Sequence, residues 1–127
     1  MKSYESNYHL GALQQLAADI TLWAQEKGFW STFPISTLTA EDHRKIVLMQ
    51  KTQKIMLVVT ELAELVEGLR DSREDETFGF TNEEEEVADA IIRLLDYAGY
   101  YSLRIGEVLG AKMAKNEGRP HKHGKEF

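Results

Sequence analysis

A chain of 127 residues with 43% apolar and 28% charged residues, nine glycines and two prolines has the make-up of one globular domain able to bury about two thirds of its unfolded surface. Its longest aliphatic runs, such as residues 55–59, fall far short of the ~20 residues that cross a bilayer, and the start Met1-Lys2-Ser3-Tyr4-Glu5 lacks the apolar core of a secretory signal, so no membrane partner and a cytoplasmic location are expected. The absence of cysteine excludes disulfides and thiolate zinc sites, and a net charge of −6 argues against a broad grip on nucleic acid, which needs a basic face.

A first helix is expected over residues 10–27, because Leu13, Leu16, Ala17, Ile20 and Ala24 recur at helical spacing and Gly28 follows as a stop. Trp23, Phe29 and Trp30 cluster at its end, ahead of a loop through Pro34. Thr39 with Asp42 then suits the start of a long second helix ending near Arg70. Residues 71–77 are charged and without apolar period, which reads as a loop.

Thr81 with Glu84 three residues on is a capping box, so a third helix is expected from Asn82 to about Leu103. Gly106 allows a turn, and a short fourth helix over residues 107–117 is closed by Gly118, with Pro120 beyond and residues 118–127 as a tail. No strand-like alternation persists and no repeat is present, so the expected fold is all-α, a four-helix bundle-type architecture in one domain over residues 1–127.

Two stripes of acid carry the chemistry. Glu61, Glu64 and Glu67 lie at i, i+3 and i+6 on a segment that is otherwise apolar nearly all round, and Glu86 and Asp89, with Arg93 and Asp96, form a similar line on the third helix. A solvated helix face normally takes up about half the circumference, so stripes this narrow point into a cleft. Carboxylates gathered there repel one another and lose hydration, and they need protons, basic groups or cations. Magnesium prefers such oxygen ligands and commonly bridges them to phosphates, which makes Glu61, Glu64, Glu86 and Asp89 its candidate ligands. The competing reading gives the acids to Arg70, Arg73, Arg93 and Arg104, or to solvent. A di-iron site of the Glu-x-x-His type is disfavoured, since none of the four histidines follows a glutamate by three residues.

Lys112, Asn116 and Arg119 share one face as the fourth helix runs out and suit the grip of a polyphosphate; cations drawn to a helix C-terminus are the plainer alternative. Trp23, Phe29 and Trp30, with Lys27 nearby, offer planar rings on which a nucleobase can stack, beside the ordinary role of core packing. There is no Walker loop, His-Asp metal pair or nucleophile elbow.

Glu61-Leu-Ala-Glu64 followed by Glu86-Val-Ala-Asp89 resembles the Glu-x-x-Glu and Glu-x-x-Asp signature of the MazG-like, all-alpha nucleoside triphosphate pyrophosphohydrolases. Residues 23–29, 91–96 and 112–125 resemble that family's first-helix, third-helix and C-terminal segments, and the likeness spans residues 10–127. It implies Mg2+-dependent hydrolysis of a nucleoside triphosphate to the monophosphate and pyrophosphate, with metal on Glu61, Glu64, Glu86 and Asp89. It further implies substrate contacts from Lys112, Asn116 and Arg119, and a homodimer or homotetramer with shared sites. Within this scheme Glu64, and then Glu61, is the candidate catalytic acceptor of a water proton. Phosphoribosyl-ATP pyrophosphatases and dimeric deoxyuridine triphosphatases share the scheme, and a non-enzymatic helical nucleotide-binding or oligomerisation module is the alternative from another class.

Overall fold

The computed structural model describes residues 8–32, 35–72 and 79–126. Among the described residues the fold has four α-helices: α1 (Tyr8–Glu26), α2 (Ala40–Arg70), α3 (Asn82–Tyr100) and α4 (Ile105–Glu117), with 3-10 turns at Ile35–Thr37 and His121–Gly124. No strand occurs among the described residues, and no helix there is long and apolar enough to cross a membrane. The loop expected over residues 71–77 falls, beyond Ser72, outside the described residues, as do Pro34 and Arg73.

Local chemistry sets the helix starts. Thr39 Oγ1 accepts from the Asp42 amide at 3.1 Å, satisfying one of the free donors of the first turn of α2. At α3 the box is complete, since Thr81 Oγ1 accepts from the Glu84 amide at 3.2 Å and the Thr81 amide donates to the Glu84 carboxylate at 2.8 Å. That carboxyl is accordingly held below its usual range.

α1 ends in a Schellman turn around Gly28, at φ +78°, with the Phe29 amide donating to the Ala24 carbonyl and the Gly28 amide to Gln25. α3 ends by the same device, but the left-handed position is Ser102, at φ +51°, and Leu103 donates back to Ala98. The helix therefore stops three residues before the expected Leu103. A serine there accepts a conformation that favours glycine, so no sequence signal marked the stop.

α3 is the central element, packed against α2 on one side and α1 on the other, while α4 docks on α1. Small residues allow the close approaches. A Cβ on Gly99 would stand 2.3 Å from the Ala17 carbonyl oxygen, and one on Gly106 would stand 2.3 Å from that of Leu10. Gly106 thus lies inside α4 as a contact surface, and not in a turn as its position in the sequence suggests. Gln14 of α1 stitches the α3–α4 corner, donating to the Leu103 carbonyl at 3.1 Å and accepting from the Gly106 amide at 3.0 Å.

Among the described residues the buried apolar set is small: Ala17, Ala24, Trp30, Val58, Ala90, Leu95 and Ala98. Within the chain only Val58, Glu61 and Gly68 of α2 are buried. Leu48, Ile55, Val59, Leu62, Val66 and Leu69 all remain exposed. With Thr52 they step by alternating fours and threes along the helix, the spacing of a coiled-coil seam.

Candidate metal centre and adjoining cavity

Where α2 and α3 run side by side, Glu61 comes from one helix and Glu86 and Asp89, one turn apart, from the other. One carboxylate oxygen of each lies within 4.8 Å of the others. Glu61 is 6% exposed, Glu86 is half-buried and Asp89 is exposed. Glu64 lies outside this group of three and is exposed, yet it is close enough to act on Glu86 electrostatically.

Two residues not singled out in the sequence hold Glu86. Buried Asn82, in the first turn of α3, donates its Nδ2 to Glu86 Oε1 at 3.2 Å. Gly68 of α2 makes room for it, because a Cβ there would lie 1.8 Å from Asn82 Oδ1. The second oxygen, Glu86 Oε2, is buried without a hydrogen-bond partner among the described residues. Burial raises the Glu86 carboxyl above its ordinary value of 4.5; the charge of Glu64 adds to this, the Asn82 hydrogen bond opposes it, and Glu61 and Asp89 add further.

A carboxylate oxygen shut away from donors and facing other carboxylates needs a proton or a cation. Three carboxylates from two helices, brought within reach of one another, could hold a metal ion, and oxygen donors of this kind suit hard divalent cations.

The basic partners divide. Arg93 Nε donates to Glu61 across the α2–α3 join, so of the four candidate ligands Glu61 is the one for which an arginine pairing is seen among the described residues. Arg70 pairs with Glu67 at 3.1 Å and Arg104 with Glu107 at 3.3 Å, both on the surface. Asp96 is taken up otherwise, accepting from Thr21 Oγ1 at 2.7 Å and from the Trp30 indole at 2.9 and 3.1 Å.

The cluster opens on a cavity of about 850 Å3. Its polar wall includes Gln50, Gln53, Lys54, Glu61, Asp89 and Arg93, and its apolar wall includes Ile20, Trp23, Phe29, Met49, Leu57 and Ile92. Trp23 is 49% exposed and leans on Phe29, with ring centroids 5.7 Å apart. Trp30 stands elsewhere: its ring stacks on Tyr100 at 3.5 Å and 3°, meets Tyr101 edge-on, and carries the Lys54 ammonium 4.2 Å from its centroid.

Burial draws the Lys54 ammonium below its ordinary range, with Asp96 opposing and Arg93 assisting. The same ammonium donates to the Phe29 carbonyl. The signal for this wall was present in the sequence, since Gln50, Lys54, Leu57 and Glu61 follow one another at helical spacing and continue the acid ridge towards the helix start.

Of the remaining sequence candidates, Lys27 is exposed and outside the cavity lining, and Lys112, Asn116 and Arg119 are exposed on and just after α4, likewise outside it. The structure thus brings Glu61, Asp89 and Trp23 to one cavity, with Glu86 grouped with the two acids but outside the cavity lining. Compared with protein-family models, curated proteins and solved structures, the chain finds no match.

Proposed function

We propose that the chain is a Mg2+-dependent nucleoside triphosphate pyrophosphohydrolase, cleaving the α–β phosphoanhydride of an NTP or dNTP to give the monophosphate and pyrophosphate. The observation that supports this best is the three-carboxylate cluster with its orphaned, buried Glu86 oxygen, opening on a cavity with an aromatic wall. Magnesium on Glu61, Glu86 and Asp89, when bound, would neutralise phosphate charge and activate water. Glu64, exposed beside the cluster, is offered as the acceptor of the water's proton, and Trp23 with Phe29 as the platform for the base.

The expected result is magnesium-dependent pyrophosphate release from at least one member of a panel of canonical and modified nucleoside triphosphates. The pairing of Arg93 with Glu61 favours a second reading, in which the cluster is partly self-neutralised and the chain binds nucleotide without turnover. Release from no member of the panel would select that reading.

The exposed seam of α2 supports a homo-oligomer, a dimer or a tetramer. Its half-exposed side chains form the kind of continuous apolar strip that marks an interface. In such an assembly Lys112, Asn116 and Arg119 would act on the cavity of a neighbouring copy. Light scattering is expected to give a mass of two or four chains, and Leu62→Glu, within the seam, is expected to lower it to one; a stable, active monomer would contradict the assembly.

A further inference from the structure

Along α3 the residues Glu86, Asp89, Arg93 and Asp96 succeed one another at helical spacing, so one cation stands in a line of acids. Two of those acids do not compete for it. Asp96 is satisfied by Thr21 and Trp30, and Glu86 has its second oxygen free of any partner. Arg93 instead crosses to α2 and occupies Glu61. Nor does Lys54 take its place, because that ammonium is committed to the Phe29 carbonyl and the face of Trp30.

The arrangement leaves the cluster incompletely neutralised. Glu61, Glu86 and Asp89 carry three negative charges if all are ionised, and Arg93 offsets one of them at a single carboxylate. A divalent ion drawing on Glu61 meets the guanidinium at the same side chain, and like charges at that separation repel. The Glu61 side chain is 8% exposed while that of Arg93 is 41% exposed, so the arginine is the partner with room to move. Both line the cavity, and the planar fork of a freed guanidinium suits phosphate oxygens.

We infer that Arg93 is a latch on the metal centre: it and a divalent cation exclude one another at Glu61, and the cation's arrival turns the guanidinium towards the anion in the cavity. This rests on the metal reading proposed above. The latch keeps the cation-free cluster from standing with every carboxylate unpaired, and it makes an anion grip available once the cation is in place. Removing Arg93 therefore moves two affinities in opposite directions, which loss of packing does not do.

The test is calorimetric titration of Mn2+ into the cation-free full-length chain, followed by titration of inorganic pyrophosphate into the Mn2+-loaded chain. Arg93→Met keeps the stem and removes the charge; it is expected to bind Mn2+ about tenfold more tightly than wild type and pyrophosphate about tenfold more weakly, the scale of one partly exposed ion pair. Arg93→Lys retains a cation without the Nε donor. Its expected gain in Mn2+ affinity is smaller, about twofold to threefold, and it serves if Arg93→Met fails to fold.

Mn2+ affinity in the folded variant equal to or below that of a wild type that binds the ion would overturn the latch and leave the metal centre standing. Tighter Mn2+ binding with unchanged pyrophosphate affinity would overturn the anion role. Failure of wild type and variants alike to bind Mn2+ would overturn the metal reading and the latch together.

Discussion

Glu86→Gln is expected to lower magnesium-dependent pyrophosphate release by about 10²–10³-fold while raising the melting temperature of the cation-free chain by about 2–4 °C. The two effects share one cause. Glu86 is raised in the folded chain because its charge is buried and opposed by Glu64, Glu61 and Asp89. A neutral amide keeps an oxygen for Asn82 Nδ2 and presents donors to the neighbouring carboxylates, so the substitution relieves the fold at neutral pH. A cation at the proposed centre, however, would lose one of its charged ligands.

The sign with pH follows. A carboxyl raised above its unfolded value of 4.5 takes up a proton in the folded state before the unfolded state does. Its contribution to stability is complete below the unfolded value and is lost as pH rises through the folded one. Thermal melts of the cation-free chain should therefore show a rise in stability as pH falls from neutral towards the unfolded value of 4.5 that Glu86→Gln flattens. Equal slopes for the two proteins would remove Glu86 from that account, and full pyrophosphate release by the variant would remove it from the metal centre.

Gly99→Ala is expected to destabilise the chain by about 2–3 kcal/mol, lowering the melting temperature by roughly 8–12 °C. The added Cβ would fall 2.3 Å from the Ala17 carbonyl oxygen and 3.0 Å from Thr21 Cβ, and neither a helix carbonyl nor the fully buried Ala17 behind it can step aside. The helices must separate. Thr21 also holds Asp96, so the shift reaches the support of Trp30.

Gly110→Ala is the contrast, because its added Cβ meets only Leu10 Cδ1, at 2.7 Å. That is the far end of a side chain able to rotate, and alanine gains about 1 kcal/mol over glycine in a helix. Melts of the two variants side by side should separate them clearly. A Gly99→Ala protein as stable as Gly110→Ala would show that α1 and α3 do not approach so closely.

The parts of the fold that the sequence announced are those decided within a few residues. Thr39, the Thr81–Glu84 box and Gly28 each satisfy helix-end groups by local geometry, and the structure has the helix ends there. The parts it did not announce depend on distant neighbours. Ser102 adopts the left-handed turn that a glycine usually marks. Gly106 is small because Leu10 lies against it, which nothing near it in the sequence reveals.

The candidate site divides in the same way. Helical spacing was enough to place Glu86 beside Asp89 and to set Glu61 on a single ridge. Which arginine of four would reach Glu61, that Trp30 would face Asp96 while Trp23 faced the cavity, and that Gly68 would clear space for Asn82 all follow from how α2 and α1 lie on α3.

The two tryptophans have opposite surroundings. Trp30 is sealed against Tyr100 with its indole N–H committed to Asp96, whereas Trp23 stands half exposed at the cavity wall. The ultraviolet emission of the chain is accordingly the sum of two unlike reporters. One is shielded and answers to whether the loop after α1 stays joined to α3; the other is half open to solvent and answers to what occupies the space beside it. A colour shift without loss of the shielded signal thus distinguishes filling of the cavity from loosening of the fold, with no label added to the protein.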